Sequence, residues 1–204
     1  MEKYKDFSAI ILAGGKSSRM NNDKALLPIS GVKFIERIAR NLERYYEEII
    51  ISARSRTRFN FLPYPIVIDE QPNLGPLMGI LSGLKASANK YNFVIACDIP
   101  EINFNFLEKL MSHSKQNDLV VPITDKDKYE PLFAIYAKNL IPIIEHLLNR
   151  GKRKISELFS QCKTKYILME NNGWYHNLNT LQDYHAYLKA RNIDSIKATW
   201  WRPL

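Results

Sequence analysis

Near its amino end the chain reads IILAGGKSSRMNNDK, from Ile10 to Lys24. An apolar run typical of a buried strand leads directly into two glycines, Gly14 and Gly15. Because glycine has no side chain, the backbone can turn tightly there and its N–H groups can come close to an anion. The segment therefore predicts a strand followed by a phosphate-binding turn.

The residues after the glycines supply the cations that a phosphate would need. Arg19 offers a planar guanidinium and Lys24 a point charge. A Walker A loop ending at Lys16 and Ser17 would need glycine in place of Ile10, and the pattern G-x-G-x-x-G is absent. We therefore interpret the segment as a different phosphate loop. The alternative is an ordinary turn followed by solvated charges.

The rest of the sequence alternates short apolar runs with amphipathic stretches, which is typical of an α/β sheet covered on both faces. We predict strands at 7–12, 48–53, 66–68, 92–97, 118–122, 131–136 and 165–169, and helices at 33–46, 75–88, 104–114, 140–149 and 181–190. No linker-like segment or internal repeat interrupts them. The expected fold is a three-layer, Rossmann-like α/β/α arrangement with a mostly parallel sheet, in a single domain over residues 1–204.

Two aspartates follow apolar strands in positions that suit ligand binding. Asp98 closes the run from Phe93 to Cys97, and Asp69 closes a shorter one. Ligands of open α/β sheets collect outside the carboxyl ends of strands, where a carboxylate can hold Mg²⁺ together with substrate phosphates. The alternative for each aspartate is a helix cap or a turn.

Composition and charge narrow the class of protein. The chain of 204 residues is 46% hydrophobic and carries a net charge of +8, which suits a globular protein with anionic ligands. Because the sequence has no long apolar run and no signal-peptide pattern, we expect a cytoplasmic protein with no membrane contact. Cysteine and histidine spacing predicts no disulfide or zinc site. We expect the Trp200-Trp201 tail to pack against a neighbouring surface or a second subunit.

Taken together, the motifs resemble the molybdenum cofactor guanylyltransferase family over nearly the whole chain. They include the glycine turn with Arg19 and Lys24, a Gly-Pro-Leu segment at Gly75, and Cys-Asp-Ile-Pro around Asp98. The resemblance continues through Pro131-Leu132, Gly151-Lys152-Arg153 and Asn177-Leu178-Asn179-Thr180.

The resemblance implies a fold of the nucleotide-diphospho-sugar transferase type and transfer of GMP from GTP to molybdopterin carrying molybdenum. Mg²⁺ is the implied metal and pyrophosphate the implied product. Leu12, Ala13 and Gly14 would hold the nucleotide and Lys24 its phosphates. Asp69 would belong to the guanine nucleotide site and Asp98 would bind Mg²⁺. The amino-terminal part of the domain would bind nucleotide and the carboxyl-terminal part the acceptor.

Further residues are candidates for the nucleotide site or for the acceptor side. Ser52 stands where the family often has asparagine at the end of the second strand, and we assign it to the nucleotide site. Asn177, Asn179 and the basic run 150–154 are candidates for the acceptor side. Their alternatives are a turn in which Thr180 caps the last helix and a solvated helix end. Proteins of molybdenum cofactor synthesis, or proteins that accept the cofactor, are possible partners; nucleic acid is not expected.

The sequence leaves three alternative functions open. Within the same superfamily, the chain could be a cytidylyltransferase for the same pterin or a sugar-phosphate nucleotidyltransferase. The short chain and the sequence Ala13-Gly14-Gly15-Lys16 favour the guanylyltransferase. In another class, the basic charge suggests a non-catalytic RNA or nucleotide-binding protein, but interleaved aromatic and basic motifs are absent.

Overall fold

The computed structural model describes residues 3–14, 24–71, 73–124, 128–170 and 172–193. For Lys24 only the backbone is described. The predictions for Gly15, Arg19 and the Trp200-Trp201 tail fall outside this part of the chain.

A mostly parallel sheet forms the centre of the described structure. Its strands are β1 (Phe7–Leu12), β4 (Glu48–Ala53), β5 (Ile66–Ile68), β6 (Tyr91–Ala96), β7 (Leu119–Ile123), β8 (Phe133–Ala137) and β9 (Thr164–Leu168). A separate hairpin contains β2 (Pro28–Ile29) and β3 (Val32–Lys33). The sheet has the order β5-β4-β1-β6-β8-β7-β9, in which β8 runs opposite to its neighbours. The predicted sheet is therefore confirmed.

Helices cover both faces of this sheet. They are α1 (Phe34–Glu43), α2 (Pro76–Ala86), α3 (Phe104–Ser112), α4 (Ile141–Asn149), α5 (Ser156–Phe159) and α6 (Leu181–Ala190). Shorter 3-10 segments lie at Lys24–Leu26, Thr57–Phe59, Ser114–Gln116, Lys138–Leu140 and Asn172–Trp174. Among the residues that the structure describes, none of the helices combines the length and the apolar character needed to span a bilayer.

The alternation of side chains along the strands creates two apolar layers. Ile11 of β1 packs in the layer that contains α1 and α3, whereas its neighbour Ile10 packs in the layer with α2 and α4. Successive residues of a strand point to opposite faces, so a fully apolar strand serves both layers. These two cores give the predicted three-layer arrangement.

Helix α6 packs on the hairpin of β2 and β3 in a third cluster. Tyr184 and Leu188 of α6 contact Ile29 and Phe34 there, and the Tyr184 hydroxyl donates to the carbonyl of Pro28. Thr180 caps the helix in a reciprocal capping box with Asp183. The cap at Thr180, which was the alternative to an acceptor role for Asn177 and Asn179, is present.

Helix boundaries depart from the predictions by a few residues. The first long helix ends at Glu43 rather than Tyr46, because the N–H groups of Tyr45 and Tyr46 both donate to the carbonyl of Leu42 in a tight turn. Tyr46 still packs in the core, as its periodicity predicted. The hairpin and α5 were missed, since strands of two residues and a helix of four show no measurable periodicity.

Helix α2 lies very close to β1. A Cβ atom added at Gly83 would lie 2.6 Å from Cγ2 and 2.9 Å from Cδ1 of Ile10. Since real Cβ atoms do not approach carbon so closely, glycine at this position sets the distance between helix and sheet.

We expect Gly83→Ala to destabilise the protein by about 1–3 kcal/mol, because the cost of overpacking exceeds the gain of about 1 kcal/mol in helix propensity. Ser82→Ala is the matched control on the same helix. The Ser82 hydroxyl is buried without a hydrogen-bond partner among the described residues, so its removal should be neutral or stabilising. Urea denaturation measures both, and equal stability of Gly83→Ala and wild type would contradict the packing argument.

Candidate active site

A cleft of about 250 Å³ opens at the carboxyl ends of the adjacent parallel strands β5, β4, β1 and β6. Parallel strands end at the same edge of a sheet, so residues that follow them converge there. Leu12, Gly14, Ser52, Asp69 and Asp98 all line this cleft. The structure therefore brings together five of the residues that the sequence assigned to a nucleotide site.

Backbone hydrogen bonds fix the ends of these strands relative to one another. The Ala13 N–H donates to the carbonyl of Ser52 at 2.8 Å, and the Cys97 N–H donates to the carbonyl of Leu12 at 3.0 Å. These bonds continue the sheet into the segments that carry the site. Asp98 follows immediately, so the sheet places its backbone at the edge of the cleft.

A small polar cluster occupies one wall of the cleft. The Ser52 hydroxyl donates to Oδ1 of Asp69 at 3.1 Å, and Arg54 lines the same wall. Burial raises the pKa of Asp69, while the Ser52 hydrogen bond and the Arg54 charge partly oppose the rise. The buried Nε of Arg54 has no hydrogen-bond partner among the described residues. This wall offers a carboxylate acceptor beside a cation.

The start of α2 forms the opposite wall of the cleft, and its glycines leave open space beside the Ser52 and Asp69 side chains. A Cβ atom at Gly79 would lie 3.0 Å from Oγ of Ser52 and 3.6 Å from Oδ1 of Asp69. Gly75, with φ of +80°, precedes Pro76 at the first turn of the helix. Both residues line the cleft, so the amino end of α2 adjoins it.

Asp98 lies close to a second acidic group. The carboxylate of Glu130 accepts a hydrogen bond from the Tyr175 hydroxyl at 2.8 Å. Burial, with a smaller contribution from the Asp98 charge, raises the pKa of Glu130. Burial also raises the pKa of Tyr175 far above its usual range, so this phenol stays a donor. The Leu178 N–H donates to the Asp98 carbonyl at 2.9 Å and ties the segment before α6 to this region.

The other predicted site residues that the structure describes do not line the cleft. Ala13 is buried behind the cleft, and Asn177 and Asn179 flank the Leu178 anchor without lining the cleft itself. The buried Oδ1 of Asn177 has no hydrogen-bond partner among the described residues. The basic run 150–154 follows the end of α4, at an exposed position.

Sequence reasoning missed Arg54, Glu130 and Tyr175. Arg54 lies two residues beyond Ser52 at the end of the predicted second strand, so its position was a usable signal. Glu130 and Tyr175 are 45 residues apart, and no local pattern indicates that they meet.

The donor set of the cleft fits Mg²⁺. Mg²⁺ prefers oxygen ligands and is usually held by one or two carboxylates together with substrate phosphates. Asp98 supplies carboxylate oxygens to the cleft. Within the part of the chain that the structure describes, no group of three or more His, Cys, Asp or Glu side chains could hold a metal alone. Such a site would therefore depend on the nucleotide for further ligands.

Comparison with known proteins identifies the class as a nucleotidyltransferase. Residues 9–165 match the model of the MobA-like NTP transferase domain. The match includes the glycine turn, the cleft and both aspartates. The chain belongs to the MobA-like NTP transferase family.

Two curated relatives agree with this assignment, and a solved structure agrees with the fold. A protein of Carboxydothermus hydrogenoformans described as a probable molybdenum cofactor guanylyltransferase is 36% identical over 195 residues, which cover 92% of this chain and 98% of that protein. A protein of Peptoclostridium acidaminophilum with the same description is 35% identical, over 88% and 87% of the two chains. The crystal structure of molybdopterin-guanine dinucleotide biosynthesis protein A from Archaeoglobus fulgidus shares the fold, with a TM-score of 0.78, 21% identity and coverage of 91% and 98%.

We expect Ser52→Ala to raise the pKa of Asp69 further, because the lost hydrogen bond favours the ionised carboxylate. Carboxyl-carbon NMR across a pH titration measures this change. Ser87→Ala is the control, since the Ser87 hydroxyl donates to the backbone carbonyl of Leu84 and not to a carboxylate. An unchanged or lowered pKa of Asp69 in Ser52→Ala would contradict the described contact.

Proposed function

We propose that this protein transfers GMP from GTP to molybdopterin, forming the guanine dinucleotide form of the molybdenum cofactor and releasing pyrophosphate. The observation that carries the proposal is the convergence of Gly14 and Asp98 on one cleft in a chain of this family. The names of the curated relatives support guanine as the base and molybdopterin as the acceptor.

The proposed chemistry needs positioning more than proton transfer. A terminal phosphate oxygen of the acceptor attacks the α-phosphorus of GTP, and the bond between the α-phosphorus and its bridging oxygen breaks. The attacking phosphate monoester is already anionic near neutral pH, so no base is required. The protein must hold the two phosphates in line and offset their charge.

The residues of the cleft divide this work. The turn at Gly14, with Leu12 and Ala13, would hold the nucleotide through its backbone. We assign Arg19 and Lys24 to the triphosphate and the departing pyrophosphate, as their positions after the glycine turn predict. Asp98, with the nucleotide's phosphates, would hold Mg²⁺, whose charge offsets the negative charge of the triphosphate.

Asp69 is our candidate for recognition of the base. Guanine presents two adjacent N–H donors, and a half-buried carboxylate can accept both of them. The hydrogen bond from Ser52 fixes one oxygen of that carboxylate. Cytosine lacks this pair of donors, so the geometry favours GTP over CTP.

A pyrophosphate-release assay tests the reaction directly. Purified protein is supplied with Mg²⁺, a molybdopterin source and each of the four nucleoside triphosphates in turn. We expect release with GTP that depends on the acceptor. A clear preference for CTP would make the protein a cytidylyltransferase, and absence of release with every nucleotide would reject the proposal.

We expect Asp98→Ala to lower turnover by about two orders of magnitude or more, the scale on which one key electrostatic group acts. The fold should persist, because the Asp98 side chain lies at the cleft and not in the core. Asp6→Ala is the control, since Asp6 is exposed just before β1, away from the strand ends that form the cleft. Near-normal pyrophosphate release by Asp98→Ala would remove Asp98 from the mechanism.

We expect Asp69→Asn to reduce the preference for GTP over ITP about tenfold or more. Inosine keeps the ring N–H but lacks the exocyclic amine of guanine, so GTP loses one more charge-assisted hydrogen bond than ITP does in the variant. Competition binding of the two nucleotides measures the ratio. An unchanged ratio would show that Asp69 does not contact the amine.

A further inference from the structure

A second open space lies beside the cleft, between the segment 128–131 and the segment 153–159. This groove, which we call the Tyr129 groove, has a volume of about 520 Å³. Tyr129 and Phe159 form an aromatic wall of the groove, and Glu130 contributes a carboxylate. Three cations complete the lining: Lys128, Arg153 and Lys154. The aromatic residues and Glu130 have no role in the proposed transfer of GMP.

The Tyr129 groove adjoins the cleft. Pro76, at the start of α2, lines both spaces. A Cβ atom at Gly75, which lines the cleft, would lie 4.0 Å from the carbonyl oxygen of Arg153, which lines the groove. One molecule that occupies the groove can therefore extend a substituent towards the cleft.

The aromatic wall offers a surface for a flat ring. Tyr129 and Phe159 meet at 5.4 Å between ring centroids, and Tyr166 closes the cluster at 5.1 Å from Tyr129. Tyr129 nevertheless leaves 49% of its surface exposed. A large aromatic residue held by two others, yet half exposed, supplies a rigid stacking surface.

Glu130 adds a fixed hydrogen-bond acceptor next to that surface. Its Oε2 accepts from the Tyr175 hydroxyl, and its N–H donates to the carbonyl of Pro122 at the end of β7. The first contact restricts the orientation of the carboxylate, and the second fixes the backbone that carries it. Among the described residues, Oε1 has no hydrogen-bond partner and can accept from a ligand.

The positive charges along the groove indicate that the ligand also carries an anionic group. Lys128, Arg153 and Lys154 are exposed and lie along its lining. Cations of this kind attract phosphate and other anionic groups. The groove thus combines features that suit a flat ring, an N–H edge and an anionic substituent in one molecule.

We propose that the Tyr129 groove binds the pterin ring of the acceptor, with the ring stacked on Tyr129, its N–H edge donating to Glu130, and its phosphate directed towards the cleft. A pterin carries an amino group next to a ring N–H, the pair of donors that a carboxylate accepts. This assignment rests on the proposed function, because it takes molybdopterin as the acceptor.

Steady-state kinetics of the purified full-length protein tests the assignment. We expect Tyr129→Ala and Glu130→Gln each to raise the KM for the molybdopterin acceptor about tenfold, with the KM for GTP and the Mg²⁺ requirement unchanged. Tyr129→Phe, which keeps the ring, should restore the wild-type KM. Glu108→Gln is the matched control, since Glu108 also accepts from a tyrosine hydroxyl, that of Tyr4, but lies on α3.

Three kinetic outcomes would overturn the assignment. An unchanged acceptor KM in both variants would leave the groove without a role in acceptor binding. A raised KM for GTP would mean that the groove holds guanine. A changed Mg²⁺ requirement in Glu130→Gln would place Glu130 at the metal.

A binding assay separates failure of this assignment from failure of the proposed function. Pterin-6-carboxylate is fluorescent, and its binding is measurable without turnover. We expect the wild-type protein to bind pterin-6-carboxylate, and we expect GTP at a saturating concentration not to displace it. Tyr129→Ala and Glu130→Gln should each weaken this binding about tenfold. Binding that is equal in the variants and the wild type, or that GTP abolishes, would reject the groove as the pterin site even if GMP transfer is established.

Discussion

The parallel pairing of β4, β1 and β6 is the constraint on which the site depends. Leu12 at the end of β1 pairs with Ser52 on one side and with Ala96 on the other. The strands therefore finish level with one another, and the residues that follow them share one cleft. A shift of one residue would turn each side chain to the other face of the sheet, so the register of these strands determines which residues reach the site.

Helix α2 completes this arrangement from above the sheet. Gly83 lets the helix approach Ile10, and Gly79 keeps space next to Ser52 and Asp69. The same close packing places the amino end of α2 at the cleft, where Pro76 also borders the Tyr129 groove. One helix position thus determines the shape of the cleft and its boundary with the groove.

Local patterns made the fold and half of the candidate site predictable from sequence. Asp69 and Asp98 were recognisable because each directly follows a strand, and parallel strand ends meet. Glu130 and Tyr175 were not recognisable, because their contact depends on how β8 and the segment before α6 pack in three dimensions. Burial likewise explains why the raised pKa of Asp69 could not be read from its neighbours in sequence.

The central claim is that the glycine turn and Asp98 bind one metal-bound triphosphate. A crystal structure of the protein with Mg²⁺ and a GTP analogue carrying a methylene group between the α- and β-phosphates tests it most directly. The account predicts that the phosphates lie between the backbone at Gly14 and the carboxylate of Asp98, with the metal on that carboxylate. A triphosphate bound on another surface, or a metal held without Asp98, would contradict it.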